Sequence, residues 1–243
     1  MKFLVQSVKD LQVIIEHFEN YPLITQKRAD YELFKQAVEL MEQKEHLTME
    51  GLEKIVAIKA SLNNGLSVRS ELKAAFPKIL PVTRPSVLDY NIQDPHWFAG
   101  FTSGEGCFSI NICQSSSYLS GFQVQLFFII AQHSRDLALM ESLVSYLGCG
   151  RIKKVSTRSA PTGADQPLLR RGRSNEVNFV VTKFSDILGK IIPFFKTFTI
   201  LGVKFKDFED FCRVAELMQN KEHLTDEGLD HIRKIKIGMN KGR

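Results

Sequence analysis

One carboxylate of this 243-residue chain stands where helix electrostatics disfavour it. Asp94 and Pro95 read as the N-cap and first residue of a short helix, Trp97 to Gly104 continue it, and Gly106 reads as its left-handed stop. Glu105 then falls in the last turn, facing the negative end of the helix dipole, a placement that a bound cation would reverse. Gly100 and Gly104 lie four residues apart on one face. Each costs about 1 kcal/mol against alanine in a helix interior, a loss that makes sense if a second helix backbone comes close. The plainer alternative is a glycine-bearing core helix that ends in a solvated glutamate.

A second set of residues suits recognition. Between Gly106 and Ser134 the sequence has no Asp, Glu, Lys or Arg, and the side chains expected to point outward include Ser109, Asn111, Gln114, Gln123 and Gln125. Such neutral donors and acceptors match base edges, and a two-stranded ribbon fits a major groove. From 151 to 174 the balance reverses: Arg151, Lys153, Lys154, Arg158, Arg170, Arg171 and Arg173 stand against the single acid Asp165. Cations for phosphates beside neutral groups for bases is the division of labour that duplex recognition needs. The alternative is a solvated sheet face next to a basic surface loop.

The elements that position these residues follow from periodicity. Cys107 to Cys113 alternates, with Phe108, Ile110 and Ile112 on one face, and Phe122 to Ala131 alternates in the same way after the turn Ser115 to Gly121. Ser134 reads as the cap of a helix carrying Leu137, Met140, Val144 and Leu147 and stopped by Gly148. Strands are expected over 150–155 and 176–182, and helices over 185–195, 207–220 and 225–240. The order helix, hairpin, helix, hairpin, helices predicts an α+β fold: a four-stranded antiparallel sheet with helices on one face and the other face free.

An internal repeat divides the chain. Residues 41–65, MEQKEHLTMEGLEKIVAIKASLNNG, align at constant offset with residues 218–242, MQNKEHLTDEGLDHIRKIKIGMNKG. Upstream the match continues more weakly through Asp30 and Asp207, and reaches Phe3-Leu4-Val5 only after a one-residue shift. Residues 1–66 therefore read as the helical remnant of a first unit, 67–93 as a proline-bearing linker and 94–243 as a complete second unit. The front half of the first unit is expected to lie upstream of Met1.

Composition permits ordinary globular cores, with 44% hydrophobic residues, and a formal charge of +5 with pI near 9.0 leans towards a polyanionic partner. Cys107, Cys113, Cys149 and Cys212 lack zinc-site spacing and read as reduced thiols. No run of 18 apolar residues and no signal peptide are found, so neither membrane insertion nor secretion is expected.

Phe98-Ala99-Gly100-Phe101 and Glu105-Gly106 resemble the signature of the LAGLIDADG homing endonucleases, with Ser103 where the family's name has an acid. The resemblance covers 94–243 as a whole unit and 1–66 as the tail of a preceding one, as in single-chain, two-unit members encoded in fungal mitochondrial introns. It implies a saddle-shaped sheet on double-stranded DNA, metal-dependent phosphodiester hydrolysis with Glu105 as the Mg²⁺ ligand, and a mitochondrial setting. By position, Gln132 is similar to the family's polar residue that orders active-site water, and Lys183 to its basic residue at the scissile phosphate. Each unit of the family donates one acid, and this chain shows one; a homodimer through the 97–104 helix would supply a second. Two alternatives from other classes are an RNA maturase that binds its host intron RNA and a cleavage-inactive DNA-binding module.

Overall fold

The computed structural model describes residues 4–63, 71–118, 120–154 and 175–240. The chain divides into two units, Met1–Tyr90 and Asn91–Arg243. The expected positions Arg158, Arg170, Arg171 and Arg173 lie outside the described residues.

In the first unit, α1 (Val8–Asn20), α2 (Lys27–Glu42) and α3 (Met49–Ser61) bury Ile15, Ala29, Leu33, Val38, Val56 and Ile58 against one another. The short α4 (Glu71–Ala75) follows. Beyond it the chain is extended but anchored to these helices. The Val82 N–H donates to Ala57 O at 3.3 Å, and Arg84 donates to Asp30 Oδ1 at 2.6 Å and to Ser61 O at 3.0 Å. Burial would push the Asp30 carboxyl up, but the Arg84 guanidinium and the Asn63 amide hold it down at about 2.

The second unit opens with α5 (Pro95–Glu105), which runs directly into β1 (Gly106–Gln114). Asp94 caps α5, accepting from the His96 N–H at 2.8 Å. β1 is followed by β2 (Phe122–His133), α6 (Leu137–Leu147), β3 (Arg151–Lys154) and β4 (Glu176–Val181). The sheet is antiparallel in the order β1-β2-β4-β3. Its register puts Phe108, Ile110, Val124, Leu126, Phe128, Ile130, Val177, Phe179 and Val181 on one face, all buried. On them pack α7 (Phe184–Asp186), a π turn (Ile187–Ile191), α8 (Ile192–Thr197), α9 (Lys204–Gln219) and α10 (Asp226–Ile237). Fully buried aromatic rings form the centre: Phe195 lies 5.4 Å from Phe128 and 5.6 Å from Phe108, which is 5.3 Å from Phe211. The α+β architecture with helices on one face is as expected.

The repeat is structural as well as sequential. Lys44 and Lys221 share a left-handed backbone, as do Asn63 and Asn240. Thr48 and Thr225 cap α3 and α10 through the amides of Gly51 and Gly228, and Asp30 and Asp207 each accept from the amide of the left-handed asparagine at 2.9 Å. The one-residue shift has a physical site. Leu11 donates to Ser7 O as Ile187 does to Lys183 O, whereas Tyr21 and Phe198 close their helices one residue further apart. The π turn Ile187–Ile191 absorbs the extra residue.

Two local expectations are corrected. Gly106 is extended (φ −74°, ψ 156°), with no left-handed stop. Glycine is needed there because a Cβ would come within 2.5 Å of Thr102 Cγ2 and 2.7 Å of Thr102 O. Ser134 does not cap α6 with its side chain. It opens a 3₁₀ turn (Ser134–Asp136) for which His133 is the cap, its Nδ1 accepting from the Arg135 N–H at 3.1 Å.

Candidate active site and nucleic-acid face

Phe98, Ala99 and Thr102 bury one side of α5, which leaves the carboxylate of Glu105 exposed where the helix meets β1. Gly106 pairs with Ile130, so β2 runs past the start of β1 and carries Gln132 alongside this helix end. Gln132 accepts from the His133 N–H at 3.1 Å. Lys183 follows the end of β4. It is exposed and follows Val181, the partner of Phe128, whereas the partner of Gln132 is Val177 at the opposite end of β4. The register thus brings Glu105 and Gln132 to one end, and Lys183 lies two residues beyond the last residue of β4.

The other side of α5 is an apolar stripe at helical spacing, Trp97, Gly100, Phe101 and Gly104. The two rings stack at 4.9 Å, and a Cβ on either glycine would meet nothing within 4 Å. Ser103 is engaged, donating to Ala99 O at 2.9 Å and accepting from the Leu201 N–H at 3.3 Å.

Sequence reasoning missed Lys204 at this junction. Its ammonium donates to Thr102 O at 3.2 Å, to Gly104 O at 3.3 Å and to Gly106 O. Thr102 and Gly104 lie in the last turn of α5 and Gly106 opens β1, so the negative pole expected to call for a bound cation already meets one supplied by the protein. Burial lowers the Lys204 ammonium below the usual lysine range, with Cys107, Glu105 and Asp207 opposing. The available signal was the repeat, which aligns Lys204 with Lys27.

Among the described residues no group of three His, Cys, Asp or Glu side chains could hold a metal ion. The donor that fits one here is the exposed Glu105 carboxylate. A single hard oxygen ligand suits a divalent cation of the Mg²⁺ kind, which keeps most of its positions for water and phosphate oxygens.

On the helix-free face the register aligns Cys113 with Gln123, Asn111 with Gln125 and Ser109 with Phe127, and places Lys153 opposite Asn178 and Arg151 opposite Val180. Gln123 and Gln125 are half-buried, and Gln123 donates to the Tyr118 hydroxyl at 3.2 Å. Ser109 and Asn111, expected to point outward, are only 4% and 7% exposed, short side chains flanked by larger cross-strand neighbours. Gln114 is exposed but shares the register of Ile110 and Ile112, on the helix side. Lys154 likewise follows Val177 and Phe179, while Arg151 and Lys153 share the free face. Asn178, not singled out by the sequence, is buried on that face with Oδ1 lacking a hydrogen-bond partner in the structure.

The fold defines the class. The chain superposes with a TM-score of 0.89 on the I-SmaMI LAGLIDADG homing endonuclease bound to cleaved DNA, at 50% identity, covering 98% of this chain and 74% of that one. I-SmaMI has also been solved on its uncleaved DNA target in the presence of calcium ions. The chain belongs to the LAGLIDADG endonuclease family, whose model matches residues 1–38, 98–162 and 168–215. Probable intron-encoded endonuclease 3 of Neurospora crassa is 42% identical over 233 residues, 96% of this chain and 40% of its own length. A 48-residue stretch is 58% identical to an uncharacterized 50.9 kDa protein in ND4 intron 1 of Podospora anserina. The chain thus spans well under half the length of the first of these relatives.

Proposed function

We propose that this chain forms part of a site-specific, intron-encoded DNA endonuclease that hydrolyses phosphodiesters with Mg²⁺ and acts in the mitochondrion. The observation that carries the reading is Glu105, an exposed carboxylate at the junction of α5 and β1, level with Gln132 at one end of a sheet whose free face offers Gln123, Gln125, Arg151 and Lys153. Glu105 would hold the metal, which supplies an activated water and charge stabilisation at the leaving oxygen. Gln132 would orient water at the same end, Arg151 and Lys153 would take phosphates, and the glutamines would read base edges. Lys183 keeps the role its position in the family implies, offsetting charge at the scissile phosphate.

The uncovered stripe Trp97, Gly100, Phe101 and Gly104 supports a second signature helix at this face, from another copy of the chain or from a longer protein. Two such helices would bring two carboxylates together, one for each strand. Retention of a randomised duplex library is the test of recognition. Enrichment of one duplex sequence, weakened by Arg151→Ala with Lys153→Ala and by added salt, is expected. Preference for folded intron RNA over every duplex would instead favour a maturase.

A further inference from the structure

The repeated Lys-Glu-His-Leu-Thr segment has no part in the site described above. In each copy it forms a one-turn 3₁₀ helix, Glu45–Leu47 between α2 and α3 and Glu222–Leu224 between α9 and α10. His46 and His223 fall at the same place in these turns. In both, the ring Nδ1 is buried with no hydrogen-bond partner among the described residues. Around His223 the turn is held tightly. The Thr225 hydroxyl donates to Glu222 O at 2.9 Å and accepts from the Gly228 N–H at 3.1 Å, and a Cβ on Gly228 would come within 2.0 Å of the Glu222 carbonyl oxygen.

We infer that His223 is an acid-triggered release for the turn that joins α9 to α10: the neutral ring sits in the closed turn, and a proton on the ring opens it. The imidazolium carries a donor on each nitrogen, and Nδ1 has no partner in place to receive one. Burial lowers the ring below the usual histidine value of 6.5, and the Leu217 carbonyl on α9, which favours the charged form, offsets only part of this. The charged side chains of the turn and of the helix ends it joins, Glu216, Lys221, Glu222, Asp226, Glu227 and Asp230, are exposed, and none of them contributes to that lowering. The neutral ring therefore stabilises the closed turn above pH 6.5, and that contribution is lost as pH falls through 6.5 towards the folded value. The other end of α10 is fastened separately, the Asn240 amide donating to Asp207 and the Asn240 side chain to Phe108 O at 3.0 Å, so the release is local to the turn.

NMR of the full chain from about pH 7.5 to about pH 5 tests this, following the His223 ring and the protection factors of two amides. The ring is expected to titrate below 6.5. Protection of the Gly228 amide, which the Thr225 hydroxyl holds, should fall about tenfold per pH unit once 6.5 is passed, because one proton is taken up on opening. The Asn240 amide, bonded to Asp207 at 2.9 Å, should keep its protection over the same range. In His223→Gln the fall at Gly228 should disappear, and in His46→Gln it should remain. Should His223→Gln fail to fold, the ring midpoint and the contrast between Gly228 and Asn240 in the unaltered chain decide the matter. A ring midpoint at or above 6.5, equal losses at the two amides, or a fall at Gly228 that persists in His223→Gln would overturn the release.

Discussion

The two copies of the repeat share their local devices and differ in what they cover. Both close a helix pair with a left-handed lysine, a threonine cap, a glycine amide and a left-handed asparagine bonded to a buried aspartate. In the second copy these helices pack on a four-stranded sheet, and Phe195, equivalent to Phe18, is fully buried among Phe98, Phe108 and Phe128. In the first copy Phe18 is half-buried, beside Tyr31 at 5.4 Å. There the extended segment through Arg84 lies against the helices and pins Asp30. Among the described residues, the helices of the second copy lie on a sheet and those of the first lie against the extended segment through Arg84.

The largest effect that would sharpen this contrast is in the aromatic core. Phe195→Ala should cost about 3–5 kcal/mol, and Phe18→Ala about 1–2 kcal/mol because its site is already partly open. Hydrogen exchange resolved by unit measures both, and equal losses would refute the view that the sheet makes the difference. A smaller effect belongs to the extended segment. The Asp30 carboxyl titrates at about 2 in the folded chain against 3.8 unperturbed, so its ionised form stabilises the first unit above about pH 4, and that contribution is lost as pH falls towards 2. The difference is worth about 2 kcal/mol. Acid unfolding monitored through the first unit should therefore flatten in Asp30→Asn, and Arg84→Ala should move the acid transition to higher pH. An acid limb unchanged in Asp30→Asn would show that another group sets it.

Much of this architecture was legible because it rests on periodicity and capping. The alternation of β1 and β2, the stop at Gly148, the caps Thr48 and Thr225 and the repeat all follow from residue types at fixed spacing. What escaped depends on neighbours distant in sequence. Gly106 is fixed by the approach of Thr102, not by its own backbone angles. Ser109 and Asn111 are buried by cross-strand partners, which an alternating pattern read on one strand does not contain. The π turn was visible only as a one-residue slip in a weak alignment. For the candidate site, the helix, its exposed acid and Gln132 beside it follow the sequence, whereas Lys204 arrives from about a hundred residues away. Lys183 follows the end of β4, as expected.

The central claim is that Glu105 holds the metal with which DNA is cut. Nicking of a plasmid library by the full chain with Mg²⁺, compared with Glu105→Gln, tests it most directly. The account predicts metal-dependent nicks at one site that vanish in Glu105→Gln while duplex retention survives. Nicks that persist in Glu105→Gln, or no nicks from either chain, would contradict it.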